Sequence, residues 1–457
     1  MAEKDAENTG ERQNLRARSQ RRIVGLRAWQ WCFGGSDGVG LKKHPSFARV
    51  DRLKPVPPKT SLMLALAVFA AVWLLGGALE AQQSTPAGAR VTSDQVFKNV
   101  QVMKGIPVDD FMGTMGVMCA ALGFDCSDCH AGAGTEKVDW AAETPKKLMA
   151  RRMVLMMTAI NRDNFSGRQM VTCWSCHHGR DRPATTPTLE YMYGPATQEM
   201  DDVLTQMPGQ PSADTIIDKY LRAIGGTERL AGIKSYTAKG ASVGFGGFGG
   251  GGRVQIFAKF PDQRTTAIDF PESPDRGISV RSYNGREGWL ITPLTVLGEY
   301  QLTGGELDGA KLDAQLAFPG QIKEALTNLR VSMPVTISDL PGPSSQTSKE
   351  ASLAAVGQDR LVNVLQGTGP RGLLATLYFD QESGLLVRLV RYGKSPIGRV
   401  PTQVDYGDYR DVGGVRMPFR MVFAWTGGRD AIQLSEIQTN VPIDADRFGR
   451  PAAAKGH

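Results

Sequence analysis

The chain has 457 residues, 41% of them apolar, which is enough for two or more globular domains and excludes a chain that is disordered throughout. Its net charge of +7 sits in residues 1–60, which hold 13 Lys and Arg against 6 Asp and Glu, while the remainder is balanced at 40 of each. The folded body therefore has no overall basic excess, and no nucleic-acid partner is expected.

Residues 1–60 form a basic leader, read either as a cytoplasmic tail or as sequence upstream of a misassigned start; translation from near Val50 would leave an ordinary signal. Residues 61–82 are a signal peptide or a transmembrane anchor. Within them Leu62–Leu79 carries no charge over 18 residues, just long enough to cross a bilayer as a helix. Arg52, Lys54 and Lys59 precede it, in keeping with the positive-inside rule. Ala-Leu-Glu-Ala-Gln-Gln at 78–83 resembles a signal-peptidase junction. In either case the body beyond residue 82 is expected on the periplasmic side of the cytoplasmic membrane, tethered or secreted.

A polar linker at 83–94 leads into residues 95–185. There the spacing predicts a helix over Val108–Leu122, with Met112, Met115, Cys119 and Leu122 on one face and Asp109 and Asp110 complementing the dipole of its first turn. Cys126-Ser127-Asp128-Cys129-His130 follows. A second helix is predicted over Pro145–Asn161, with Thr144 as N-cap, Pro145 in the first helical position and Met149, Met153, Met156 and Met157 as its apolar face. Cys173-Trp174-Ser175-Cys176-His177 comes next. Each pentapeptide is the attachment site of a c-type haem: Cys126 and Cys129, or Cys173 and Cys176, add across the two vinyl groups, and His130 or His177 becomes an axial iron ligand.

The two motifs use four of the six cysteines and two of the five histidines. A zinc site built from the four thiolates is the competing reading, but zinc does not need a histidine directly after each second cysteine. A redox disulfide of the Cys-x-x-Cys type belongs in a strand–helix context that this stretch lacks. A methionine stripe at helical spacing is ordinarily core packing. The alternative is a helix folded back over its haem, presenting a thioether to the sixth iron position. His178 reads as a surface residue or propionate partner and Cys119 as a small core residue. Arg151, Arg152, Arg180 and Arg182 read equally as propionate partners or as solvated charge.

VFKNVQVMKGIPVDDFMGTMGVM, CSDCH, ARRMVLMMTAINRDNF and VTCWSCHHGR resemble the cytochrome c subunit of photosynthetic reaction centres, over roughly residues 95–185. The resemblance implies two covalently bound c-type haems with Met115 and Met153 as the distal ligands. It also implies a membrane redox complex such as a photosynthetic reaction centre, or other periplasmic redox proteins, as partner. The family's subunit carries four haems in two such pairs, whereas this chain has two motifs. The stretch RDNFSGRQMVT lacks the histidine that serves a further haem in the family.

Residues 186–212, rich in Pro, Thr, Gln and Gly, read as a second linker. Residues 213–450 change character. A helix over Asp214–Ile224 ends at Gly225-Gly226, and β-type runs follow, with hairpin turns at Asn284-Gly285 and Gly413-Gly414. The run Gly244–Gly252 lacks the helix and the Lys-Ser/Thr of a phosphate loop and reads as a hairpin tip. YLRAIGGTERLAGIKSYTAKG, SYNGREGW and DYRDVGGVRMPFR resemble, more weakly, the half-open β-barrel of lipoprotein carriers. No histidine or cysteine occurs between 179 and 456, and no catalytic constellation is visible.

The expected fold is multidomain α + β: a mainly helical dihaem domain (95–185), then an antiparallel curved-sheet, half-barrel-like domain with helices (213–450). The expected function is electron transfer without catalysis. A dihaem peroxidase with one open iron, and an envelope carrier with a haem sensor domain, are the alternatives.

Overall fold

The computed structural model describes residues 91–135, 137–183, 185–186, 204–243, 251–271, 278–291, 298–338 and 359–451. The basic leader, the apolar segment 62–79 and the glycine run at 244–250 lie outside them, as does most of the second linker. No helix among the described residues is long and apolar enough to cross a membrane. All described residues belong to one compact unit, 84–457.

The first part holds α1 (Ser93–Val96), α2 (Val108–Leu122), α3 (Cys126–Cys129), α4 (Pro145–Phe165) and α5 (Cys173–His177), joined by turns and irregular chain. Helix therefore makes up only part of this segment. Thr144 caps α4, its hydroxyl accepting from the Lys147 N–H at 3.3 Å, and Pro145 opens the helix. α4 runs one turn beyond Asn161 and stops at Ser166, which takes a left-handed φ of 54°.

Two helices, α6 (Ala213–Ala223) and α7 (Thr227–Ala231), precede the strands. α6 buries Ile216, Ile217, Tyr220 and Leu221, the i, i+1, i+4, i+5 stripe of an amphipathic helix, against the sheet. The strands are β1 (Ser235–Ser242), β2 (Gly252–Lys259), β3 (Gln263–Asp269), β4 (Ile278–Tyr283), β5 (Gly288–Ile291) and β6 (Glu299–Gln301), then β7 (Thr327–Val331) and β8 (Val335–Ile337). After them come β9 (Arg360–Thr368), β10 (Leu374–Asp380), β11 (Leu386–Ser395), β12 (Gly398–Val412), β13 (Val415–Trp425) and β14 (Gly428–Thr439). Between β6 and β7 lie α8 (Gly304–Leu316) and α9 (Ile322–Ala325).

All strands join one antiparallel sheet in the order β6-β5-β4-β3-β2-β1-β14-β13-β12-β11-β10-β9-β7, with β8 also on β9. Two meanders are thus sewn together where β1 pairs with the last strand. Val412 opposes Val415 across Gly413 and Gly414, whose φ values of 63° and 85° are those a two-residue primed turn demands.

The sheet must be strongly curved. β3 and β11 are six strand steps apart, roughly 29 Å in a flat sheet, yet both reach α8, a cylinder roughly 10 Å across. From β3, Arg264 donates to the Asp313 carbonyl oxygen at 3.2 Å. From β4, Arg281 pairs with Glu306 at 3.1 Å. From β11, Arg391 faces Glu306 at 3.7 Å and Asp313 at 3.6 Å. Gly309 makes room for Arg391, because a Cβ there would lie 2.2 Å from the guanidinium. Burial alone would raise the Glu306 carboxyl, but Arg391 and Arg281 outweigh it and hold the group at about 2.

The two parts of the chain share a core. The turn between β11 and β12 pushes Ile397, fully buried, between Val117 of α2 and Val154 and Met157 of α4. Beside it the Gln169 side-chain amide donates to the Ser395 carbonyl oxygen at 3.0 Å. At the other end of α2, the Asp109 carboxylate accepts from Thr303 N and Thr303 Oγ1, each at 2.6 Å. Thr303 is the N-cap residue of α8, so a carboxylate of α2 caps the helix inside the sheet.

Ile397→Ala is expected to cost about 2–4 kcal/mol, the usual range for a buried large-to-small change. Denaturant midpoints read separately from signals in the α1–α5 segment and in the sheet should fall together; a shift confined to one of them contradicts the shared core. The depressed Glu306 carboxyl contributes stability that is present above about 4.5, its ordinary value, and lost as pH falls towards about 2. Urea unfolding across that window should lose stability less steeply in Glu306→Gln than in the parent chain.

Candidate functional site

Both Cys-x-x-Cys-His motifs are built as short helices with their own caps. At the first, Asp125 Oδ1 accepts from Ser127 N at 2.7 Å and Asp128 Oδ2 accepts from Asp125 N at 3.0 Å. At the second, Thr172 Oγ1 accepts from Ser175 N at 3.2 Å and Ser175 Oγ from Thr172 N at 3.0 Å. Each is a reciprocal capping box, and it fixes the one helical turn that puts both thiols on a common side. The signal was present in the sequence as Asp-x-x-Asp and Thr-x-x-Ser framing the cysteines.

The start of α4 is bolted to the first motif. Thr144 Oγ1 donates to the Cys129 carbonyl oxygen at 2.8 Å, and Lys146 pairs with Asp128 at 2.8 Å while lying over the Phe124 ring. The second motif is held from two sides. Asn161, buried on α4, donates to the Val171 carbonyl oxygen at 2.7 Å and accepts from Met170 N and Val171 N at 3.0 and 2.9 Å. Gly179 N donates to the Ala121 carbonyl oxygen at 2.8 Å, tying the exit of the second motif to the last turn of α2 just before the first. Gly123 permits that approach: its φ is +67°, and a Cβ would lie 2.4 Å from the Gly179 carbonyl oxygen. Asn161 was not among the residues read from the sequence, since an asparagine near a helix end gives no sign of what it clamps nine residues later.

The methionines divide differently from the predicted stripes. α2 buries Thr114, Val117 and Ala121, while Met112, Met115 and Cys119 are half-buried on another face and line a cavity together with Cys126. The structure thus brings Met115 and Cys126 to one space. On α4, Met157 is buried beside Val154, but Met149 and Met156 are exposed, so the four methionines do not form a single packed face. Met153 is half-buried next to Val154, whose core Cys173 also joins. Cys119 is not sealed in a core: it stands on the cavity wall, and burial pushes its thiol up to about 11. His178 is exposed with its ring edge-on to Trp174 at 5.7 Å. Arg151 is engaged by Glu143 at 2.7 Å, and Arg152, Arg180 and Arg182 are exposed.

The residues fit a haem at each motif. All four motif cysteines are free thiols, and burial raises Cys129 and Cys173 above the ordinary thiol value. His177 Nδ1 lies 3.0 Å from the Arg180 carbonyl oxygen, and an Nδ1–H donating to that oxygen would leave Nε2 available as a ligand. His130 Nδ1 is buried without a hydrogen-bond partner, and burial pushes that imidazole below its ordinary value. Trp140, Leu148, Met149, Leu155, Met156, Met170 and Trp174 are all exposed within one short stretch, apolar surface that a large flat macrocycle can cover. A four-thiolate zinc cage fits less well, because among the described residues no three His, Cys, Asp or Glu side chains are gathered as metal ligands.

Residues 77–214 match a family model described as the photosynthetic reaction centre cytochrome C subunit, a span that contains both motifs. Solved structures similar to this chain include a LolA superfamily protein from Nitrosomonas europaea, 16% identical, with a TM-score of 0.33 and coverage of 53% of this chain and 99% of that one. A DUF1329 family protein from Desulfovibrio piger is 10% identical, with a TM-score of 0.32 and coverage of 52% and 98%. A domain assigned to outer membrane lipoprotein sorting in Vibrio parahaemolyticus is 11% identical, with a TM-score of 0.30 and coverage of 51% and 97%. The family model agrees with the cytochrome resemblance read from the sequence. No curated protein matches the chain.

Asn161→Ala strands two N–H groups and one carbonyl at the entrance to the second motif. It should cost about 2–3 kcal/mol and speed amide exchange at Met170 and Val171, with Gly179 unaffected. Unchanged exchange at the two amides would show that Asn161 does not hold this segment.

Proposed function

We propose that this chain is a dihaem c-type electron carrier working on the periplasmic side of the cytoplasmic membrane, tethered or exported through residues 61–82. In this reading residues 95–185 are the cytochrome module, 186–212 a connector and 213–450 a sheet module. Cys126 and Cys129 would hold one haem, with His130 and Met115 as its iron ligands. Cys173 and Cys176 anchor the other with His177 and Met153. Bound haem supplies a one-electron iron couple, and a thioether opposite an imidazole raises its potential.

The observation that carries the reading is that each Cys-x-x-Cys-His sits in a capped turn with free thiols and an imidazole left available, and that the two turns are joined through the Gly179–Ala121 hydrogen bond. The caps at Asp125 and Thr172 hold the thiols side by side before attachment. Met115 faces the same space as Cys126, which supports its assignment over that of a packing residue. In this reading the chain is an electron carrier rather than an enzyme. Its partner would be a membrane redox complex such as a photosynthetic reaction centre, or another periplasmic redox protein.

Protein matured with a haem-attachment machinery should carry two haems per chain by mass spectrometry and show the weak far-red band of methionine bound to iron. Met115→Leu and Met153→Leu should each remove about half of that band. Carbon monoxide binding by the reduced, undenatured parent would instead establish an open iron and the peroxidase-like alternative.

A further inference from the structure

The cavity that Met115 and Cys126 border does not end at the cytochrome segment. It has a volume of about 1360 Å³ and continues between α8 and the concave side of the sheet, past residues of β1–β4 and β11–β14. Such a space exceeds the usual range for a small-molecule site. Its inner walls are largely aliphatic and aromatic, with Tyr236, Phe318, Tyr406, Phe423 and Trp425 among them. Hydrocarbon fits most of it.

One region is different. Around α8 the lining includes Arg264, Arg281 and Arg391 together with Glu306 and Asp313. Arg391 is only 3% exposed, and its Nη1 makes no hydrogen bond, only a 3.7 Å ion pair to Glu306, while its Nε lies 3.6 Å from Asp313; Arg281 Nε likewise has no hydrogen-bond partner. A carboxylate or phosphate brought here would meet Glu306 and Asp313 in a low-dielectric space. An ammonium would meet three guanidinium groups. A bare hydrocarbon would leave the donors as they are. A neutral head that accepts hydrogen bonds through carbonyls, or donates them through hydroxyls when reduced, meets none of these penalties.

We propose that this cavity binds a neutral lipophile with a hydrogen-bonding ring head, of the quinone or quinol type. The ring lies by the Arg391–Glu306 region and the hydrocarbon tail along the aromatic wall. Met112, Met115 and Cys119 border the other end of the same cavity, the end that the first haem would occupy, so the ligand would lie beside that haem, between α8 and the sheet. The binding site follows from the cavity's own chemistry and does not depend on the electron-transfer reading.

The test is isothermal titration of the full-length, haem-loaded protein with three probes of equal tail length: a decyl-substituted benzoquinone, decanoate and decylbenzene. One-to-one binding of the quinone, at least about tenfold tighter than either other probe, is the expected result, that being the scale of one hydrogen bond to a charged donor. Equal or tighter binding of decanoate would assign the cavity to anionic amphiphiles, equal or tighter binding of decylbenzene would make it a plain hydrocarbon site, and no binding of any probe would remove it as a site; each overturns the proposal. Thr402, on β12, lines the cavity and opposes Arg391 across the strand pair. Thr402→Trp should abolish quinone binding while leaving the circular dichroism spectrum unchanged, and undiminished binding by that folded variant would place the ligand elsewhere. Should Thr402→Trp fail to fold, the order of the three probes on the parent protein still decides.

Discussion

α2 has more than one face to place, and the way it does so organises the molecule. The segment from 91 to 183 is too small to build a large core, as expected for so short a stretch of chain. Its buried apolar side chains are few among the described residues: Val108, Val117, Ala121, Ala133, Val154 and Met157. The space between Val117, Val154 and Met157 is closed by Ile397, delivered from the β11–β12 turn. With Val117 turned into that shared core, α2 is left with Met112, Met115 and Cys119 pointing at a cavity. A fully self-sufficient helical domain would have needed those methionines for packing. Support from the sheet leaves them on the cavity wall.

The same dependence runs the other way. α8 lies inside a curved sheet and its N-terminal turn would carry unsatisfied N–H groups in a partly buried place. Asp109 supplies the acceptor from across the boundary, at 2.6 Å to both Thr303 N and Thr303 Oγ1. Burial raises the Asp109 carboxyl above its ordinary value despite those two hydrogen bonds, so the contact is made at some electrostatic cost. Three arginines from three different strands then grip α8 further along. Strand curvature, the seating of α8 and the orientation of α2 are therefore linked through a single chain of polar contacts. The segment 91–183 and the sheet are best understood as one folding unit, consistent with the compact unit that spans them.

How much of this could be read from the sequence depended on range. Local chemistry was legible. Pro145 after Thr144, Gly225-Gly226 after α6 and Gly413-Gly414 between β12 and β13 announced their roles because each acts on neighbours a few residues away. The motifs themselves were legible for the same reason, being one helical turn long. Periodicity located α2 and α4 and put Met112, Met115 and Cys119 on one face of α2, but it misjudged the face that α4 buries. It counts methionine as core, whereas Met149 and Met156 stand in solvent and Met115 borders a cavity. What decides the face is a partner hundreds of residues away, Ile397 or Thr303, and nothing in a local window registers it. Asn161 was missed in the same manner.

The position of the cavity has a further physical consequence. Apolar hollows of this size normally persist only where the surrounding frame is rigid enough to resist collapse. Here one wall is an antiparallel sheet whose two meanders are joined by β1–β14 pairing, and another is α2, fixed at its ends by Asp109 and by the Gly179–Ala121 hydrogen bond and along its length by Gly116 against the Thr426 side chain. The close approach at Gly116 leaves no room for a side chain between helix and sheet. Anything that moves α2 relative to the sheet must break these contacts together, and so the geometry around Met115 and the volume of the cavity cannot change independently. A redox centre at the first motif would then sit in a space whose shape and polarity are set largely by the sheet.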